Sequence, residues 1–362
     1  MLFVRSPLPP FGLDLSDLSF KLVQLQKVPQ KRGKEPKIQL AASSEVVIPE
    51  GYIQGGEIKN REKVIRLTRE LIKRASVKKK ISQEVIVCLP ETKTFIKLIK
   101  IPDLTEEEMQ DAIEKEIEHF VPISLDEAYL DWQEIPAQKG KDINKKNILV
   151  GVAPRNIVDE YLNFLKDCGL IPLVLEIEAA SITRSIVSEK ESSQEAQIII
   201  DLGATRSSLI VYDKETIQFS LSIPISGINL TKKIAEATGR AFGEAEEVKR
   251  ACGLDKAKCS KEMKEILFSM VDDLTQKIEE AINFYEIHFP LGNKIKRVLF
   301  CGGGANFTNI EKEISQKLRL EIKKGDPWIN IVKENETSPL PKDKSLSFTT
   351  AIGLALRGLQ KT

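Results

Sequence analysis

Two aspartates stand where a carboxylate can do chemistry on a phosphate. Asp14 lies at the end of the apolar run Phe11–Leu15 in FGLDLSDLSFKLVQL, and Asp201 lies at the end of Ile198–Leu202 in IIIDLGATRSSLIVY. Each is followed by a short turn of small and polar residues and a second strand-like run. In such a turn the backbone N–H groups point inward and can cradle phosphate oxygens. The carboxylate cannot touch the phosphate, because like charges repel. It can hold Mg²⁺ through ordered water, since that ion keeps much of its hydration shell. Two such turns, one per half, would clamp a polyphosphate between domains and share the metal. An ordinary hairpin with aspartate as turn former accounts for either turn taken alone. The pair, at the same place in each half, favours the phosphate reading.

A third turn follows the buried run Val298–Cys301. Gly302, Gly303 and Gly304 there permit close backbone approach to a flat ligand or an α-phosphate. Alone a triple glycine is weak; after the two acidic turns it completes a set. The stretch EAEEVK puts Glu246 and Lys249 one turn apart on a helix face. On spacing alone a surface ion pair, worth ~0.3–0.5 kcal/mol, is the better reading. The alternative has Glu246 accept from ribose hydroxyls while Lys249 approaches the base or α-phosphate.

These turns need a frame, and the chain supplies it twice. In the first half, the opening hairpin and a third extended run, Ile38–Ile48, precede a Gly-rich turn at Gly51, Gly55 and Gly56. A helical stripe over Arg61–Ala75 and a short buried strand, Glu84–Leu89, follow. In the second half, strand, acid, small turn and strand recur, with a third strand over Ile217–Ile225. Agreement across three elements points to internal duplication. Helices are expected over Asn229–Thr238, Gly243–Cys252 and Lys261–His288, then a strand over Arg297–Cys301 and a helix capped by Thr308 with Glu311. The last helix, Thr350–Leu359, is mainly apolar and should pack on the first domain.

Between the halves lies a unit of different character. Thr94–Ile101 reads as a strand, and Thr105 with Glu108 as a capping box for an acidic helix reaching Phe120. Leu125–Glu134 is extended, Lys139–Asn147 is a loop, Ile148–Ala153 is a strand and Asn156–Cys168 a helix. The order strand, helix, strand, strand, helix has no phosphate-type loop and reads as an inserted subdomain. The expected domains are therefore 1–90 with 173–192 and 346–362, an insertion over 91–172, and 193–345 with a helical portion near 229–290. Glu189–Glu195 is a polar linker.

Composition sets the outer bounds. The 362 residues exceed one ordinary core, and 41% hydrophobic content is that of a globular protein. The 54 basic and 53 acidic residues cancel to +1, which argues against a bulk electrostatic grip on nucleic acid or an anionic membrane. The run Lys78-Lys79-Lys80 reads as a solvated surface. Five cysteines without a Cys-x-x-Cys pair, and two distant histidines, argue against a disulfide framework or zinc site and for a reducing compartment. His119 belongs on a helix flank or in a core. MLFVRSPLPP lacks the pattern of a signal peptide, and no stretch approaches the ~20 apolar residues of a membrane span. A soluble cytoplasmic protein, held at any membrane by another protein, is expected.

The order of motifs resembles the actin-like ATPase superfamily and, more narrowly, the PilM family of type IV pilus assembly proteins, relatives of FtsA. The resemblance runs through nearly the whole chain. It is carried by FGLDLSDLSFKLVQL, IKIPDLTEEEMQDAIEKEIEHFVPISLDEAYLDWQEI, ILVGVAPRNIVDEYLNFLKDCGLIPLVLEIEAASITRSI, IIIDLGATRSSLIVY, EAEEVKRACG and VLFCGGGANFTNIEKEI. It implies an α/β actin-like ATPase fold: two duplicated ribonuclease-H-like domains with a small inserted α+β subdomain. It also implies ATP and Mg²⁺ as cofactors. Asp14 and Asp201 match the metal-organising acids. Ser16, Asp17, Leu18 and Ser19 match the first phosphate turn, and Gly203, Ala204, Thr205 and Arg206 the second. Lys21 matches a lysine after the first turn, Glu246 and Lys249 the adenosine-side pair, and Gly302, Gly303 and Gly304 the adenosine turn. Glu178, in EIEAAS, falls where relatives orient the attacking water. Ser16 replaces a frequent glycine and Arg206 a smaller polar residue. The serine restricts backbone approach to phosphate, while the arginine can contact its oxygens.

The implied partner is the N-terminal cytoplasmic peptide of a PilN-like inner-membrane protein. Pilus motor ATPases and self-association are further candidates; nucleic acid and direct membrane insertion are not. With no strong general base in view, hydrolysis is expected to be slow or absent. An FtsA-like division filament is the alternative, disfavoured because the chain stops at AIGLALRGLQKT without an amphipathic tail. A small-molecule kinase lacks its catalytic aspartate, and a nucleotide-free scaffold of the same fold follows if Ser16 blocks the turn.

Overall fold

The computed structural model describes residues 8–30, 36–77, 80–136, 145–189, 195–331 and 338–360. Lys78 and Lys79, residues 139–144 of the expected loop, 190–194 of the expected linker, residues 1–7 and the last two residues lie outside them. The chain divides into two compact units: Met1–Glu189 with Pro327–Pro341 and Phe348–Thr362, and Lys190–Asp326 with Lys342–Ser347.

In the first unit, β1 (Phe11–Leu15), β2 (Ser19–Val28) and β3 (Lys37–Val47) form an antiparallel meander. The Gly-rich turn holds a small hairpin, β4 (Ile53–Gln54) and β5 (Glu57–Ile58). Asn60 caps α1 (Arg61–Ser76) by accepting from the Lys63 N–H, and the helix buries Val64, Thr68, Leu71 and Ala75. β6 (Glu84–Leu89) then pairs parallel with β1.

The chain next leaves this sheet. β7 (Phe95–Pro102) is followed by α2 (Glu106–Glu118), started by the expected capping box of Thr105 and Glu108. His119 is the exposed C-cap, on the helix flank. β8 (Ala128–Ile135) and β9 (Lys145–Pro154) complete an antiparallel sheet in the order β7-β9-β8. Lys145–Asn147, expected in a loop, extend β9 because each pairs with β7. Ile99, Ile101, Met109, Ile113, Ile117, Ile148 and Val150 give this subdomain its own core. α3 (Arg155–Asp167) does not join that core. It buries Ile157, Tyr161, Phe164 and Leu165 under the first sheet with α1, whereas the sequence places it in the insertion. β10 (Ile171–Ile177) returns the chain to the first sheet, parallel to β6, and α4 (Glu178–Ile186) follows directly. The sheet order is β10-β6-β1-β2-β3.

The second unit repeats that plan. β11 (Ala196–Leu202), β12 (Ser207–Asp213) and β13 (Thr216–Ile223) form an antiparallel meander. α5 (Gly227–Thr238), α6 (Phe242–Cys252) and α7 (Lys261–His288) follow, and α7 buries Met263, Leu267, Val271, Leu274 and Ile278 along one stripe. β14 (Ile295–Cys301) pairs parallel with β11. After α8 (Ile310–Leu318), β15 (Glu321–Lys324) pairs parallel with β14. The strands run β15-β14-β11-β12-β13, the same pattern of parallel and antiparallel neighbours as in the first sheet. The cap of α8 differs from expectation: Asn309, in the left-handed region, precedes the helix, and Thr308 lies one residue earlier. A second difference is covalent. Cys252 and Cys259 form a disulfide, with Cα atoms 5.3 Å apart, although the odd, scattered cysteines argue against one. The turn after α6 folds Cys259 back onto the last residue of the helix, seven positions earlier.

After α9 (Lys342–Ser345), the chain re-enters the first unit as α10 (Thr349–Arg357). As expected, α10 packs on the first sheet: Ala351, Ile352, Ala355 and Leu356 join Val23, Leu25 and Trp328 in one core. Gly353 is needed there, because a Cβ would overlap the Ser181 carbonyl of α4. The first sheet thus carries α1 and α3 on one face, with α10 and α4 on the other.

Candidate functional site

Strand periodicity places Asp14. Phe11, Leu13 and Leu15 turn into the core with α1 and α3, so Gly12 and Asp14 turn to the opposite face, where Gly12 meets Ala351 and Ala355 of α10. Asp14 is only 4% exposed. Its carboxylate accepts from Ser16 Oγ at 2.8 Å and lies 3.7 Å from Lys21 Nζ, opposite it in the hairpin register. Lys21 also donates to Ser19 Oγ at 2.6 Å. The turn closes with Ser16 N–H to the Ser19 carbonyl, and the Leu18 carbonyl accepts from the Ile48 N–H. Asp17 spends its carboxylate on the N–H groups of Gly55 and Gly56, both at 3.0 Å. It anchors the neighbouring hairpin, and what it can offer a phosphate is its backbone.

Glu178 is the first residue of α4, just past β10. One of its oxygens lies 3.4 Å from Thr350 Oγ1. Cys88, on β6, pairs with Glu176 of β10 and follows Val87, the partner of Leu13. Asp14, Cys88 and Glu178 therefore gather at the C-terminal ends of three parallel strands, and one ligand atom from each lies within 4.8 Å of the others. Burial, and then the charges of Asp14 and Glu178, push the Cys88 thiol well above its ordinary range. Two carboxylates here fit a hydrated divalent cation. The sequence reading missed Cys88, since only sheet register brings it beside Asp14.

In the second unit, Asp201 occupies the matching place on β11. Cys301, its parallel partner on β14, holds Sγ 3.8 Å from Oδ1. Gly302 sits at φ 79° and ψ 171°, and a Cβ there would overlap Asp201 Oδ1. Its N–H donates to the Leu346 carbonyl. Gly303 is exposed and Gly304 half-buried, leaving open backbone at this turn. The carbonyls of Gly203 and Ala204 accept from the N–H groups of Gly227 and Ile228 at 3.2 and 2.9 Å. The second turn is thereby seated on the start of α5, with Thr205 half-buried and Arg206 exposed.

Glu246 and Lys249 are not a surface pair. Lys249 is 7% exposed, and its Nζ donates to Glu246 at 2.6 Å, Thr231 Oγ1 at 2.8 Å and the Gly227 carbonyl at 3.0 Å. Thr231 donates to the same Glu246 oxygen, and Arg250 donates to the other. Burial raises the Glu246 carboxyl, but the hydrogen bonds from Lys249 and Thr231, with the Lys249 and Arg250 charges, outweigh it and hold the group below its usual range. Burial lowers Lys249 against the pull of Glu246. The pair braces α6 to α5 beside the second turn. Thr231 was not foreseen: it meets Lys249 across two helices, with no spacing signal in the chain.

Two sets of five strands in one order of parallel and antiparallel neighbours, each with an aspartate at the end of its first strand, define an actin-like fold. EutJ from Carboxydothermus hydrogenoformans has this fold at TM-score 0.55 and 17% identity, over 97% of this chain and 91% of that one. MreB5 of Spiroplasma citri bound to ADP has it at 0.54 and 15%, over 96% and 95%. The chain belongs to the family of type IV pilus assembly proteins PilM, which it matches over residues 12–359. A chain of a solved PilM-PilN type IV pilus biogenesis complex has the same fold at TM-score 0.81 and 22% identity, over 98% of this chain and all of that one. Among the described residues no helix is long and apolar enough to cross a membrane.

Proposed function

We propose that this chain is an ATP- and Mg²⁺-binding scaffold of a type IV pilus, or related secretion, assembly machine. The observation that carries the reading is the repeated strand-end aspartate, Asp14 and Asp201, in two sets of five strands with the same order within a PilM-family chain. In this reading the backbone of residues 16–19 and that of residues 203–206 bind phosphate oxygens, the turn at Gly302–Gly304 takes the adenosine, and Glu246 with Lys249 serves the ribose. Asp14 and Asp201 would hold Mg²⁺, which when bound neutralises phosphate charge. Lys21, already beside Asp14, adds a positive charge at the same turn. Glu178 can orient a water, and hydrolysis in this reading is slow or absent. Calorimetry with ATP and Mg²⁺ tests this: wild type binds, Asp201→Ala does not, and equal binding by both would remove the second turn from the site.

The partner in this reading is the N-terminal cytoplasmic peptide of a PilN-like inner-membrane protein, as the name of the solved PilM-PilN complex suggests. It engages the chain beside the inserted subdomain and brings it to the inner face of the membrane. Nucleotide state biases partner affinity by differential binding to two conformations. A pull-down with that peptide is expected to retain the protein; failure both with and without ATP counts against the partner.

A further inference from the structure

Both connections of the inserted subdomain are tied to one small hairpin. β4 and β5 turn at Gly55 and Gly56, whose φ angles are 56° and 82°. On the way in, between β6 and β7, Pro90 lies so close that a Cβ on Gly56 would overlap its ring. Thr92 Oγ1 donates to the Gly55 carbonyl at 2.9 Å, and Lys93 Nζ donates to the Glu57 carboxylate at 2.6 Å. On the way out, after β9, Tyr161 of α3 donates its hydroxyl to the Gly56 carbonyl at 2.8 Å. Tyr161 is 1% exposed, so this bond is made in the core. The hairpin is the seat of the insertion.

The same two glycines are held by a charge. Successive N–H groups at a turn form a concavity that suits an anion. Here the anion is the Asp17 carboxylate, with one oxygen on the Gly55 N–H and the other on the Gly56 N–H, both at 3.0 Å. A two-point, charge-assisted grip fixes direction as well as distance. Asp17 is itself part of the first phosphate turn, so the seat follows that turn. The turn has a closed arrangement, in which the Ser16 N–H donates to the Ser19 carbonyl at 3.2 Å. A phosphate oxygen that takes the Ser16 N–H breaks this bond and reshapes the backbone that carries Asp17. Two arrangements of one element, unequal in phosphate binding, are what coupling between sites requires.

We propose that Asp17 is a positioning residue that joins the first phosphate turn to the seat of the inserted subdomain. Nucleotide at residues 16–19 then alters peptide affinity beside the insertion by way of Gly55, Gly56, Thr92 and Tyr161. The inference rests on the nucleotide and peptide readings above, and it assigns the residues that couple them.

Two measurements on the full chain test it. The first needs no ligand: hydrogen–deuterium exchange in wild type and Asp17→Asn. In the variant, exchange about tenfold faster or more is expected at residues 55–58 and also at 92–95, as loss of a charged hydrogen bond that spans both segments implies. Unchanged exchange at 92–95 overturns the link. The second is the anisotropy of a fluorescein-labelled N-terminal peptide of the PilN-like partner, titrated with and without ATP and Mg²⁺. In wild type, nucleotide is expected to change the peptide Kd about fivefold or more. Thr92→Val combined with Tyr161→Phe leaves residues 16–19 intact. That variant should bind ATP as wild type does in calorimetry, yet show one peptide Kd with and without nucleotide. Thr92→Ser keeps the donor and should keep the wild-type ratio. A double variant with the wild-type ratio overturns the proposal, and does so even if Asp17→Asn fails to fold. Wild type that binds both ligands without coupling overturns the proposal and leaves both readings standing. Wild type that does not bind ATP, or does not bind the peptide, overturns that reading and the coupling with it.

Discussion

Gly302 is where the second unit tolerates least change. Its φ of 79° with ψ of 171° lies in a region essentially reserved for glycine, and the missing side chain is what lets Asp201 occupy the strand end. Gly302→Ala combines backbone strain of about 1–3 kcal/mol with a collision against the carboxylate. Chemical denaturation should show at least that loss, and calorimetry a weakened response to ATP. A tolerated alanine would mean the turn is looser than its geometry states. The sequence marks this turn by its three glycines but does not rank them. Gly302 is constrained and Gly303 meets nothing within 4 Å. Asp17 shows the opposite limit: it reads as part of a phosphate turn, yet its carboxylate is committed to Gly55 and Gly56.

At the scale of elements, the inserted subdomain carries a titration of its own. Burial lowers Lys97 of β7 to about 8, against the smaller opposing effect of the Glu116 charge. The unfolded chain keeps this amine protonated to its ordinary value of 10.5, so between about pH 8 and 10.5 the unfolded state binds more protons and folding gains stability as pH rises. Lys97→Met removes the cost of a buried charge. The variant should have the higher urea midpoint at pH 7, and its advantage should shrink as pH climbs through that window. A difference that is flat with pH would show that Lys97 keeps an ordinary pKa. Most elements were legible at this scale. α2 carries its capping box, α7 its apolar stripe and β6 its buried run between polar ends. What local pattern could not settle was allegiance: α3 has the same amphipathic text whichever core it joins, and three-dimensional packing assigned it to the first sheet.

For the whole molecule, both tryptophans, Trp132 and Trp328, belong to the first unit, so their fluorescence follows that unit's unfolding. Under the proposed nucleotide binding, ATP and Mg²⁺ at about 100 times Kd stabilise the tryptophan-read transition by about 2.7 kcal/mol. Asp201→Ala, which alters only the second unit, should abolish that shift. A full shift in the variant would place the nucleotide on the first unit alone and end the two-turn reading.

The residues themselves determined the duplicated plan, the strand-end aspartates and the family. Alternation, caps and glycine turns are local features, and their order along the chain is already a topology. Tertiary structure decided which side chains share a space. Lys249 became a buried brace with Thr231, and Cys88 came to lie beside Asp14 and Glu178. The physical reason is that parallel strands and crossing helices join residues far apart in sequence, and no periodicity within a segment encodes the register of its neighbour.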